Sequence, residues 1–234
     1  MANNAFDVLQ DIFRQSYPSI HVVSLDENAL VANPNILGNF LSTSDDGVIG
    51  LAPVYGAKCC LTTLAFSTLS NVLVIRFSSA KPKGKKKRKT NRTTSHLTPG
   101  RKLLQDNIIC HPERQKFAFR MDRLSASIFL DLGLRISGGV NLLSSSKSTR
   151  QSLDALMNAL GGAINLYREN MKALFKHEET ATTPIRDVAL QAWAACRAGS
   201  LKSLSKLQSK IPRIDTQDFG GEVCDSFGSS FSLC

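Results

Sequence analysis

Residues 45–77, DDGVIGLAPVYGAKCCLTTLAFSTLSNVLVIRF, hold three apolar runs, 48–52, 59–66 and 72–77, set apart by short Gly, Ser and Asn breaks. Apolar, β-branched runs of about four to eight residues bounded by such breaks read as strands of one antiparallel meander. That meander is the sheet on which the rest of the chain must pack. Outward toward the N-terminus, residues 20–25 (IHVVSL) read as another strand, and Asp26, or Asn33 with Pro34, opens a helix running to about Leu41. Phe6, Leu9, Ile12 and Phe13 recur at helical spacing, which predicts an amphipathic helix within residues 1–19 that caps the core or meets a partner.

On the other side of the meander the pattern breaks into SSAKPKGKKKRKTNRTTSHLTPG, residues 78–100. Lysine-dense and almost free of apolar residues, this stretch cannot bury enough surface to offset its ordering entropy, so residues 79–97 are predicted to form an exposed, mobile loop. A helix is expected from about Thr98 to Asp106, and a brief strand at 108–110. Another helix opens near Asp122 and ends at Gly133, and residues 140–143 are a further strand candidate. The serines ending the 144–152 linker can cap the helix that begins at Leu153. Gly161 and Gly162 interrupt that pattern before 164–175 resume it. A last helix covers 187–199, with 201–207 extending it. From Pro212 the chain turns to Gly, Ser and Asp with scattered Phe, which predicts a disordered tail over 212–234. The architecture that follows is α/β: a mixed sheet flanked by helices, spanning residues 20–211.

The formal charge of +10 comes from 29 basic and 19 acidic residues. Eight of the basic residues, Lys81, Lys83, Lys85, Lys86, Lys87, Arg88, Lys89 and Arg92, lie in one run without an acid. Without them 21 basic residues face 19 acidic ones, so the folded body is nearly neutral and the basicity belongs to one loop. KKKRK is of the kind that serves nuclear import or contacts nucleic acid, and a simple solvated charge run is the bland reading. No apolar run approaches the roughly 20 residues that span a bilayer, and residues 1–18 lack a signal peptide's layout, so an intracellular protein is expected. The six cysteines, at 59, 60, 110, 196, 224 and 234, show no CxxC spacing, and buried thiols rather than a zinc site are expected. The four histidines are scattered, and none has a partner at ligand spacing.

Three runs resemble the motifs of the DEDD-type 3′–5′ exonucleases of the ribonuclease D and Rrp-six-like group, over about residues 20–207. VIGLAPVYG is similar to the first motif, an apolar strand running into Leu-Asp-x-Glu. FAFRMDRLSASIFLDLGL is similar to the second, in which an aromatic-flanked Asp opens a helix that ends in a Gly-Leu turn. DVALQAWAA, downstream of SLDALMNALGG, is similar to the third, Tyr-Ala-Ala-x-Asp-Ala-Trp, with its sharpest agreement at Leu190, Ala192 and Trp193. The resemblance implies a ribonuclease-H-like fold, with an antiparallel three-strand meander plus parallel strands. In that family four carboxylates hold two divalent metals, because hard cations take oxygen ligands and paired metals need close neutralising charge.

Carried over position by position, the first Asp falls on Ala52 and its Glu on Val54. The second motif's Asp falls on Asp122, the third's on Gln191, and the water-orienting Tyr on Asp187. One ligand of four remains, so the resemblance implies a catalytically inactive member that holds no metal or other cofactor. Asp26 with Glu27 cannot replace the first pair on a strand, since adjacent residues point to opposite faces. Asp45 and Asp46 precede the strand rather than end it. Asp122 also has a bland reading, because the first turn of a helix favours an acid. The expectation is a nuclear adaptor that binds nucleic acid, RNA foremost, together with protein partners and without a membrane. The alternative is a protein-interaction scaffold in a nuclear complex. Oligomeric state is left open.

Overall fold

The computed structural model describes residues 4–44, 47–78, 97–145, 152–176, 183–201 and 211–217. Its strands are β1 (Asn4–Val8), β2 (Ile20–Asp26), β3 (Val48–Tyr55), β4 (Leu61–Ser67), β5 (Asn71–Arg76), β6 (Gln115–Ala118), β7 (Gly139–Asn141) and β8 (Arg213–Ile214). The helices are α1 (Glu27–Ala32), α2 (Pro34–Ser42), α3 (Pro99–Leu104), α4 (Met121–Leu132), α5 (Leu153–Ala159), α6 (Arg168–Lys176) and α7 (Ile185–Gly199). The eight strands among the described residues form one sheet in the order β1-β2-β5-β4-β3-β6-β7-β8. β3, β4 and β5 are the antiparallel meander, β6 runs parallel to β3, and β7 runs parallel to β6. The mixed sheet expected from the sequence, a meander continued by parallel strands and flanked by helices, is the fold observed.

Alternation along β3 divides the core into two layers. Ala52 and Val54 face an apolar layer built with α5, α6 and α7, whereas Ile49, Leu51 and Tyr55 face the layer that holds α1 to α4. α7 approaches the sheet at backbone distance over Gly50. A Cβ at that position would overlap the Ala192 carbonyl oxygen and the Cys196 amide nitrogen, so only glycine admits the helix there. The Ala-rich face of α7 completes the fit. Trp193 lies in the same layer, edge-on to Phe13 and Tyr17 at centroid distances of 5.7 and 5.6 Å, and its Nε1 donates to the Leu69 carbonyl at 2.9 Å.

Four local expectations need correction. The helix expected within residues 1–19 is absent from the described part: Asn4–Val8 is a strand, antiparallel to β2 with Phe6 opposite Val22. Helical spacing of four apolar residues competes there with the open edge of β2, and a short isolated helix is marginal in any case. Ile12 and Phe13 still reach the core, as the capping reading required. Residues 108–110 are not a strand, since Gln105–Ile109 form a π-helical turn continuing α3. The brief strand lies instead at β6. The tail expected to be disordered from 212 begins with β8, antiparallel to β7, and Thr216 exchanges backbone and side-chain bonds with Ile136 at 2.8 Å. The free edge of β7 orders these residues, and composition cannot register an edge. Finally, Cys59 and Cys60 are exposed rather than buried, because the turn of the β3–β4 hairpin falls on them. Residues 202–210 and 218–234 lie outside the described residues.

Candidate functional site

β3 and β6, which end at Tyr55 and Ala118, are parallel neighbours at the point where the chain, having gone from β3 out to β4 and β5, returns to the other flank of β3. Open α/β sheets leave a crevice at the carboxyl ends of strands beside such a switch point. Here β6 pairs with β3 only from Val48 to Gly50, so the last five residues of β3 outrun it and one side of that strand is open. Pro53 falls in this open part, where a missing N–H removes no ladder bond on that side. The resulting cleft is lined by Ala52, Tyr55, Phe119, Arg120, Arg123 and Gln191, with Phe175 packed edge-on to Phe119 at 5.0 Å.

Two of the positions singled out from the sequence meet in this cleft. Ala52, on β3, is 3% exposed, and Gln191, on α7, is 4% exposed. The Gln191 amide is committed: its Nε2 donates to the Leu174 carbonyl at 2.8 Å. Leu174 lies in the last turn of α6, whose carbonyls have no acceptor role left within the helix, so Gln191 satisfies a helix end from the neighbouring helix. A carboxylate, which only accepts, could not make this bond. Val54 points into the same apolar layer and is 9% exposed.

The acids lie elsewhere. Asp122, in the first turn of α4, is exposed and accepts from the Asn141 amide on β7 at 3.2 Å. Asp187 sits in the first turn of α7 against Arg186 at 3.2 Å, and Arg186 also pairs with Asp11 at 2.8 Å. Asp26 pairs with Arg76 at 3.1 Å and Glu27 with Arg101 at 2.7 Å, at the end of β2. Three strand spacings separate β2 from β3, about 14 Å, so those two acids do not stand in for Ala52 and Val54. Asp45 and Asp46 lie outside the described residues. Among the described residues no three His, Cys, Asp or Glu side chains gather as a metal site. Of the histidines described, His21 pairs with Asp7 on β1 at 3.0 Å and the His111 carbonyl accepts from Lys116.

The sequence reading missed Arg120 and Arg123. Both flank Asp122 in FAFRMDR, and the cue was present in their spacing: one closes the turn after β6 and the other lies on the first turn of α4. Arg123 stacks its guanidinium over the Tyr55 ring at 4.6 Å. The cleft therefore has a cationic and aromatic wall where a metal-binding site would have an anionic one.

The basic run Lys81, Lys83, Lys85, Lys86, Lys87, Arg88, Lys89 and Arg92 lies outside the described residues, but the two chain ends that flank it are described. Glu27, 1% exposed, gathers them: its Oε1 accepts from the Ser78 amide at 3.1 Å and its Oε2 from the Thr98 hydroxyl at 3.3 Å. Arg101 completes the clamp, donating to Glu27, to the Ser78 carbonyl at 3.2 Å and to the Leu132 carbonyl at 3.1 Å. Ser78 follows β5, which is parallel in direction to β3, so the base of the run opens at the same end of the sheet as the cleft. Among the described residues no helix is long and apolar enough to cross a membrane.

No protein-family model and no curated protein matches the chain. Among solved structures, it is similar to the Aedes aegypti Nibbler EXO domain, at 16% identity over 76% of this chain and 84% of that one, with a TM-score of 0.48. It is also similar to the EXD2 exonuclease domain soaked in Mn, at 18% identity over 59% of this chain and 67% of that one, with a TM-score of 0.38. A third similarity is to the catalytic core of RRP6 from Trypanosoma brucei, at 13% identity over 86% of this chain and 52% of that one, with a TM-score of 0.41.

Proposed function

We propose that this chain is a 3′–5′ exonuclease-like protein that binds RNA without cleaving it and serves as an adaptor in nuclear RNA metabolism. One observation carries the reading: Gln191, at the third motif's acid position, spends its amide on the end of α6. That bond excludes a carboxylate by chemistry, and with a methyl group at Ala52 and an isopropyl group at Val54 two metals find no ligand set. Loss of three acids removes negative charge from the cleft, and Arg120 and Arg123 add positive charge. A guanidinium is suited to phosphate through paired donors, and aromatic rings accept stacked bases. The basic run over residues 81–92, based at the same end of the sheet, supplies further phosphate contacts that carry no sequence information.

Deleting residues 81–92 tests this. RNA affinity is expected to fall, and the slope of log K against log salt to flatten by about 0.7 for each phosphate that the shortened chain no longer neutralises on a single strand. Binding and slope that stay unchanged in fluorescence anisotropy would remove RNA binding by this segment. If the deletion only moves the protein out of the nucleus, the run serves import and the protein-interaction scaffold becomes the better reading.

A further inference from the structure

Cys59 and Cys60 occupy the tip of the β3–β4 hairpin, both exposed. Among the described residues Cys59 is the one non-glycine with positive φ, +57°. A side chain is costly in that region, where glycine would be the unstrained choice. The turn is closed by the Gly56 amide donating to the Cys60 carbonyl at 2.8 Å, and its exit is held to α4 by the Leu61 amide donating to Asp131 at 2.8 Å. Its entry is Tyr55, which lines the cleft beneath Arg123.

We propose that Cys59 and Cys60 form a redox-modification site, in which a peroxide joins the two neighbouring thiols into a reversible vicinal disulfide. The chemistry balances. One thiolate attacks a peroxide oxygen and becomes a sulfenic acid, releasing water once the leaving hydroxide takes up a proton. The second thiol then attacks that sulfur, forming the S–S bond and expelling a second water. Two thiols lose two electrons and two protons, and one peroxide is reduced to two waters. Proximity favours the second step, because the resolving sulfur is one peptide bond away and only the hairpin tip has to adjust to deliver it. Exposure lets the oxidant in, and an exposed, strained disulfide is the readily reduced kind. The other described thiols are poor competitors. Burial pushes Cys196 up to about 12, where its Sγ donates to the Val48 carbonyl, and burial raises Cys110 as well. Both are protonated near neutral pH and react slowly. Closing the ring must change the backbone at the tip, and that change is transmitted to Tyr55 at the cleft.

The test is peptide mapping of the full chain after mild hydrogen peroxide treatment, digested at acid pH to stop disulfide exchange. The peptide holding both cysteines is expected to lose two hydrogens, to become inert to alkylation, and to recover both thiols with dithiothreitol. Cys59→Ser and Cys60→Ser should each abolish that loss and leave a trappable sulfenic acid on the remaining thiol. Circular dichroism unchanged in both variants rules out unfolding as the cause. Hydrogen exchange should change over residues 55–61 in the oxidised wild type and not along α7. A disulfide from this peptide to Cys110, Cys224 or Cys234, irreversible oxidation of single thiols, or thiols that stay fully alkylatable would each overturn the proposal.

Discussion

Gln191 and Lys116 are the two buried polar side chains whose chemistry can be read most directly. At Gln191 an amide donor meets a helix-end carbonyl in an otherwise apolar layer. Replacing it with aspartate, the residue the family resemblance would put there, loses the donor and buries a charge. Gln191→Asp is therefore expected to destabilise the fold by about 2–4 kcal/mol in urea titration, and the substitution would not by itself create a metal site. Lys116, on β6, is fully buried, with its Nζ donating to the His111 carbonyl at 3.0 Å. Burial lowers its pKa from 10.5 to about 8, against the opposing pull of Cys110 and Asp215. Because the folded value lies below the unfolded one, the unfolded chain holds more protons between these limits, and stability rises with pH across that window. The cost of burying the ammonium is thus present in full below about pH 8. Lys116→Met should stabilise the protein by up to about 3 kcal/mol at pH 7, and the advantage should shrink as pH approaches 10. Urea midpoints of both proteins at the two pH values check this, and a difference that does not vary with pH would contradict it.

At the level of elements, the structure shows what holds the base of the basic run. Glu27 opens α1 and receives donors from Ser78 after β5 and from Thr98 and Arg101 at the start of α3, so α1, β5 and α3 are tied at one carboxylate. Arg101 is 14% exposed and Glu27 only 2% by side chain. Removing one member of so buried a pair leaves the other charge uncompensated. Glu27→Gln is expected to cost about 3–5 kcal/mol, far more than loss of the exposed Arg168–Asp154 pair on α6 and α5, where about 0–1 kcal/mol is expected. Equal effects of Glu27→Gln and Asp154→Asn on the urea midpoint would refute the distinction. Elements are also where the sequence reading was least complete. The meander, α4 with its left-handed Gly133 cap and α7 were all legible, because each carries its own period or terminator. β1, β6 and β8 were not, since strands of two to five residues form by pairing with an edge supplied elsewhere.

For the whole molecule the decisive matter is what converges at the carboxyl end of the sheet. The cleft unites β3, the turn after β6, α4, α6 and α7, and places two arginines beside Ala52 and Gln191. Asp122 does not line this cleft and accepts instead from the Asn141 amide on β7. Its substitution should accordingly leave any nucleic-acid chemistry untouched. With a 3′-labelled single-stranded RNA and Mn²⁺ or Mg²⁺, the wild type and Asp122→Ala are expected to give the same absence of shortening on a sequencing gel. Metal-dependent shortening that disappears in Asp122→Ala would instead restore the enzymatic reading and displace the adaptor.

Side-chain identity is local, and so the sequence alone decided that Ala52, Val54 and Gln191, the positions onto which the motif resemblance would carry three acids, bear a methyl, an isopropyl and an amide group, none of which can supply a metal with an anionic ligand. It decided the three strands of the meander for the same reason, because their apolar runs and breaks are written consecutively. Strand order, the pairing of β1 and β8 on the outer sides of β2 and β7, the bond from Gln191 to α6, the Glu27 clamp and the arrival of Arg120 and Arg123 at the cleft were decided only by the tertiary structure. Each of these depends on groups distant along the chain meeting at an open edge or a helix end, and no local pattern encodes which edge or which end is left open.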